Sequence, residues 1–97
     1  MSKFSLSTKA KSDLINIARY TQLNWEIIQR NDYLKVLDSS FQFIANEPEL
    51  EINCDYIRAA YKKHPQSSHV IYYKQYKVNQ ILIVRILHKS MDVNSAL

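Results

Sequence analysis

The 97-residue sequence contains no glycine. Average usage of about 7% would supply several. Turns and helix ends that ordinarily recruit glycine for a positive φ must here use Asn, Asp, Ser or a different geometry. Cysteine occurs once, at Cys54, which excludes an internal disulfide, and no Cys/His cluster has metal-ligand spacing. No stretch approaches the roughly 20 uninterrupted apolar residues of a membrane span. The opening "MSKFSLSTKAKSD" lacks the apolar run and cleavage site of a secretory signal. A Ser/His/Asp elbow, a glycine-rich phosphate loop and a paired-carboxylate arrangement are missing as well. These absences predict a cytoplasmic protein with no metal, no cofactor and no membrane contact.

Hydrophobic residues make up 46% of the chain and charged residues 23%, the balance of one folded domain spanning 1–97. Thirteen basic residues against nine acidic ones give a net charge of +4. The excess gathers after residue 61, at Lys62, Lys63, Lys74, Lys77, Arg85 and Lys89. Such a surface suits nucleic acid or an acidic protein partner.

"KFSLS" alternates Phe4 and Leu6 with polar neighbours, the pattern of a half-buried strand, and Ser7 or Thr8 offers a helix N-cap. Ala10, Leu14, Ile17, Ala18, Thr21 and Trp25 then form one stripe of an amphipathic helix. "TQLNW" reads as a corner, with Asn24 capping a second helix. In that helix Leu34, Leu37, Phe41 and Ile44 form one stripe, and Tyr33, Val36, Ser40 and Phe43 its neighbour. Glu47, before Pro48, ends it. Residues 8–46 therefore predict a helical hairpin. "YIRAAY" (56–61), "HVIYYK" (69–74) and "QILIVRILH" (80–88) read as strands, with "KKHPQSS" and "QYKVNQ" as the connections between them. The expected architecture is an α+β fold, a helical hairpin packed on a twisted antiparallel sheet in the order β-α-α-β-β-β.

Arg85 is the sharpest chemical signal, because a guanidinium inside an apolar strand must be paired or reach an open face. Simple alternation places it on one face with Ile81, Ile83 and Leu87. One reading is an ion pair with Asp92 or Asp55. The other is a basic face built from Arg58, Lys62, Lys63, His64, Arg85, His88 and Lys89, able to hold phosphate and move a proton. The bland alternative for "KKHP" is a solvated turn. His69 and His88, at strand ends, read first as hydrogen-bonded structural residues. Seven tyrosines fit either a protein interface or the boundary of a small core.

Taken together, "LSTKAKSDLINIARYT", the Trp25, Gln29, Tyr33 spacing, "YIRAAYKKHPQSSHVIYYK" and the ending "VRILHKSMDV" resemble the ParE toxins of bacterial toxin–antitoxin modules. The likeness covers nearly the whole chain and is most specific at Ser68 to Tyr73 and Ile83 to Asp92. It implies the RelE/ParE fold, a toxin of type II systems that poisons DNA gyrase, and neutralisation in a hetero-oligomer with a ParD-type antitoxin. It implies no catalytic residues and no sequence-specific DNA binding by this chain. Arg85, His88, Lys89, Met91 and Asp92 are then candidates for the target-binding surface. Tyr56, Arg58, Tyr61, Tyr72 and Tyr73 are candidates for the antitoxin-binding surface. Two alternatives stay open: a RelE-like ribosome-dependent mRNA endonuclease using Arg58, Lys62, Arg85 and His88, and an inactive relative that only occupies antitoxin.

Where the family usually has glycine, this chain has Glu26, Glu51, Ala60 and Ser67. Any of these positions that requires positive φ is expected to strain the backbone by about 1–2 kcal/mol. Lys62 and His64 replace a commoner arginine and aromatic residue.

Overall fold

The structure, a computed structural model, describes residues 3–24, 26–50, 52–53 and 60–96. In chain order these form β1 (Lys3–Leu6), α1 (Thr8–Asn24), α2 (Ile27–Asn46), a 3-10 turn (Pro48–Leu50) and β2 (Ile52–Asn53). There follow β3 (Lys62–Gln66), β4 (His69–Lys77), β5 (Gln80–His88) and α3 (Val93–Ala96). The strands lie side by side in the order β1-β5-β4-β3-β2. Neighbours are antiparallel except β1, which runs parallel to β5, so the expected sheet is present in mixed form.

The two helices cover one face of this sheet. Ala10 and Ile17 of α1, Leu37, Phe41 and Ile44 of α2, Ile71 and Tyr73 of β4, and Ile81, Ile83 and Ile86 of β5 share one core cluster. Full burial of each large side chain contributes roughly 1.5–3 kcal/mol. A smaller cluster occupies the other face, where Tyr72 and Leu87 are packed by Tyr61, Val70, Val93 and Ala96. The C-terminal residues thus include a short helix that covers apolar side chains.

Ser7 caps α1 as expected: its Oγ accepts from Ala10 N at 2.9 Å and donates to Val84 O at 2.6 Å. The cap of α2 differs. α1 continues through Asn24, and Glu26, in extended conformation, precedes α2 without a side-chain capping bond. The double-width apolar face of α2 is also narrower than expected. Leu37, Ser40, Phe41 and Ile44 are buried, whereas Val36 and Phe43 are exposed.

"KKHPQ" is not a loop but the strand β3, in register from Lys62 against Tyr73 to Gln66 against His69. Proline is tolerated there because, among the described residues, β2 pairs only with Lys62 and Lys63 and none pairs with the outer edge at Pro65. Most of the expected 56–61 strand, with Tyr56 and Arg58, lies outside the described residues, as do Trp25, Glu51 and Asp55. Ala60 sits in a turn that leads into β3. Two of the four positions where the family carries glycine have left-handed backbone, Ala60 at φ 67° and Ser67 at φ 55°, joined by Asn79 at φ 58°. Glu26, at φ −71°, does not.

Alternation along β5 also fails at one point. Tyr72 stands opposite Arg85 but Tyr73 stands opposite Ile83, so Val84 is an extra residue in a β-bulge. The bulge swaps the faces. Ile81, Ile83 and Ile86 all enter the helix-side core, while Arg85 and Leu87 turn to the side of Tyr72 and α3.

Candidate functional site

Arg85 is therefore not on the face of Ile81 and Ile83, and its carboxylate is Asp13 in α1. Nε lies 2.8 Å from Asp13 Oδ2 and Nη2 lies 2.9 Å from Oδ1, a two-pronged ion pair between side chains that are 16% and 11% exposed. Nη1 donates to the carbonyl of Ala96 at 2.6 Å. Asp13 Oδ2 also accepts from Ile86 N at 2.9 Å. β1 ends opposite Ile83, so the second half of β5 would have an unpaired edge. The start of α1 closes it: Ser7 N donates to Ile83 O, Ser7 Oγ to Val84 O, and Asp13 takes the next amide. The hydrogen bond with Asp13 is the main cause holding the guanidinium's pKa above its ordinary value. Chemically the arrangement is a clamp that ties α1, β5 and α3 together, with three of its cation's donors already used.

Asp13 was not singled out from sequence, though a signal existed. It lies three residues after Ala10 and four before Ile17 and is itself buried, a carboxylate on the buried face of the helix. Such a residue asks for a cation.

The proposed basic face does not converge. The β3–β4 register sets Lys62 and His64, opposite Tyr73 and Ile71, on the helix side, and Lys63, opposite Tyr72, on the other. His64 packs its ring 6.0 Å from that of Phe43. Lys62 lies four residues along β3 from Gln66, roughly 13 Å from the level of His69 and His88. The antitoxin-side tyrosines are also placed differently from expectation. Tyr73 is a core residue, 1% exposed, whose hydroxyl donates to Pro48 O at 3.0 Å. Tyr72 is covered by α3, and half-buried Tyr61 packs beside it with the Lys74 ammonium 5.6 Å from its ring centre. His88, Lys89, Met91 and Asp92 do form one exposed run at the end of β5, held by Lys89 N on Ser68 O and Met91 N on His88 O.

A cleft of about 500 Å³ opens on the helix side at the same end of the sheet. Asp13, Asn16, Ile17, Tyr20 and Thr21 line it from α1, Tyr33 from α2, Ser68 and His69 from the β3–β4 connection and β4, and Ile86, His88 and Met91 from β5 and beyond. His69 Nδ1 lies 2.6 Å from the Tyr33 hydroxyl. The rings of His69 and His88 meet edge to face, 5.6 Å apart and 83° to each other. His88 Nδ1 in turn lies 2.7 Å from Ser90 Oγ and accepts from Ser90 N at 3.2 Å. Burial, and then the neighbouring His88, push the His69 pKa below its ordinary value. Asp13 opposes them weakly. Burial raises the Tyr33 phenol. From sequence, His69 and His88 read as hydrogen-bonded structural residues with no partner named. Tyr33 and Ser90 supply these partners, and Tyr33 is 36 residues from His69, beyond any local pattern.

Comparison with known proteins agrees with the fold and identifies the family. Residues 4–93 match the family described as the ParE toxin of the type II toxin–antitoxin system parDE. The protein named Toxin ParE1 of Caulobacter vibrioides is 32% identical over 97 residues, covering 100% of this chain and 99% of its own. Toxin ParE1 of Mycobacterium tuberculosis is 33% identical over 93 residues, 96% of this chain and 95% of its own. Among solved structures, a chain of the chromosomal ParDE system from P. aeruginosa superposes with a TM-score of 0.76. It covers 91% of this chain and 95% of its own at 12% identity, a likeness of fold. With a family match from Phe4 to Val93 and relatives 32% and 33% identical over nearly their full lengths, the chain belongs to the ParE toxins of type II toxin–antitoxin systems.

Proposed function

We propose that this toxin acts in the cytoplasm by binding DNA gyrase rather than by catalysis, and that a ParD-type antitoxin neutralises it. The observation that carries this reading is the commitment of Arg85. An RNA-cleaving site of this fold needs cations and a proton-transfer pair converging on one phosphate. Here Arg85 spends three donors on Asp13 and Ala96, and Lys62 and His88 stand at different ends of the opposite face. A gyrase poison needs only to bind one conformation of the enzyme–DNA complex better than the others. The exposed run of His88, Lys89, Met91 and Asp92 supplies a contiguous surface for that purpose. Among the described residues no helix is long and apolar enough to cross a membrane.

The test is a gyrase supercoiling assay with purified toxin beside a ribosome-programmed mRNA cleavage assay. Substitution of Lys89 and Met91 is the informative perturbation. Removing residues 89–97 outright would also take away the Ala96 carbonyl and the cover of Tyr72, so truncation would not spare the fold. Supercoiling should stop with the parent and resume with the double variant. Cleavage of mRNA with gyrase untouched would replace the reading with a nuclease centred on His88.

A further inference from the structure

The cleft at the end of β4 and β5 holds two imidazoles whose protonation pattern is fixed by the protein. Tyr33 keeps its proton, since burial raises its pKa, and the Ser68 backbone amide donates to its oxygen. Its own proton then points to the nearer acceptor, His69 Nδ1 at 2.6 Å, rather than to Gln66 O at 3.4 Å. His69 is therefore neutral with its hydrogen on Nε2. Ser90 fixes His88 in the same way, because an amide that donates to Nδ1 leaves the ring hydrogen on Nε2. Two Nε2–H donors result, on adjacent rings in one cleft, and no protein acceptor engages either of them among the described residues.

We propose that this cleft is a binding site for a carboxylate, taking an acidic side chain from an extended segment of a partner protein. The donor set decides the chemistry. Two imidazole donors suit one carboxylate with two oxygens. A phosphate carries more charge and more acceptors, and no Lys or Arg lines the cleft to meet it. Other titratable groups facing the imidazoles leave room for an anion. Asp13 of α1 is already paired with Arg85, and burial raises the pKa of the Tyr33 phenol, so it stays protonated; Tyr20 is the other phenol lining the cleft. Ile17, Ile86 and Met91 add an apolar wall for the stem of the entering side chain and its neighbours. The molecule's net charge of +4 favours the approach of an acidic segment.

An anion between the rings reverses the local balance. Burial, the largest cause, keeps the His69 pKa low in the empty cleft, and a bound carboxylate opposes it by favouring the charged ring. Binding therefore takes up a proton and strengthens as the pH falls. Tyr33 and Ser90 are positioning residues, because they hold the rings without touching the ligand.

The experiment uses the full chain, 15N-labelled at histidine, and the capped peptide acetyl-Ala-Leu-Glu-Ala-amide as the probe. Its glutamine counterpart and inorganic phosphate serve as controls. The acidic peptide should shift both Nε2 resonances, raise the His69 pKa and bind about tenfold more tightly near pH 6 than near pH 8. Glutamine in place of glutamate should weaken binding by about tenfold or more, because the charge-assisted bonds are lost. His88→Gln replaces an exposed ring, so it should lower affinity while leaving the thermal melt unchanged. Tyr33→Phe should shift the tautomer signature of His69. Equal binding of the two peptides, tighter binding of phosphate, or an affinity indifferent to pH would each overturn the proposal. It stands apart from gyrase inhibition, since a short peptide is the probe and no gyrase is present.

Discussion

Replacing Ala60 and Ser67 by glycine should stabilise the protein. Both residues hold left-handed backbone, at φ 67° and φ 55°. That conformation brings Cβ too close to the following carbonyl oxygen and costs an L-residue about 1–2 kcal/mol. Glycine removes the clash, while the greater freedom of the unfolded chain offsets roughly 0.4–1 kcal/mol of the benefit. The net expectation is about 0.5–1 kcal/mol per site. The two positions bracket β3, roughly 20 Å apart along the strand, so their effects should add. A double variant should therefore gain about 1–2 kcal/mol and melt roughly 8 °C higher, given 4–8 °C per kcal/mol for a domain of this size. Urea denaturation should show a higher midpoint at unchanged slope. Glu26→Gly is the control, because φ there is −71° and glycine relieves nothing. Asn79→Gly should gain less than either, since asparagine tolerates the left-handed region. A double variant that melts at or below the parent temperature would refute the argument.

Arg85→Ala should cost about 3 kcal/mol by leaving Asp13 buried without its cation. Arg85→Lys should lose part of that, because an ammonium cannot make the two-pronged contact. Toxicity should fall in step with the urea midpoint, and a variant as stable as the parent but harmless would show that Arg85 meets the target directly. His69, its pKa depressed in the folded state, takes up protons more readily when unfolded. Stability should therefore be complete above the ordinary histidine pKa and decline as the pH falls below it toward the folded value. Melts across that range should slope less in His69→Gln, and an identical slope would assign the dependence elsewhere.

The helical hairpin was legible because its apolar residues recur at helical spacing over two long segments, and β5 because nothing else in the chain is so uniformly apolar. Two glycine substitutions were legible as strain because the residue type alone constrains φ. β3 was missed for the opposite reason. "KKHPQ" has the composition of a turn, and only its place between β4 and a two-residue edge strand lets a proline stay. The face of Arg85 was misread because a bulge belongs to the pairing of two strands and not to either strand's pattern. Its partner, 72 residues away, depends on where α1 begins beside the sheet. The Tyr33–His69–His88 cluster was hidden likewise, since three elements bring it together.

The order of the strands in space sets a condition on biosynthesis. Among the described strands β5 is made after the others, yet it lies between β4 and β1, the earliest of them, and pairs with both. Until residues 80–86 exist, β1 has no neighbour, Asp13 has no arginine, and the isoleucines that complete the helix-side core are absent. Contacts between chain ends carry the largest loop-closure penalty and form late. A growing chain therefore cannot assemble the clamp before β5 is made, and a message cut short before β5 yields a polypeptide with neither a finished core nor the exposed run at His88. The helix-side core and the clamp are therefore complete only once β5 has been made.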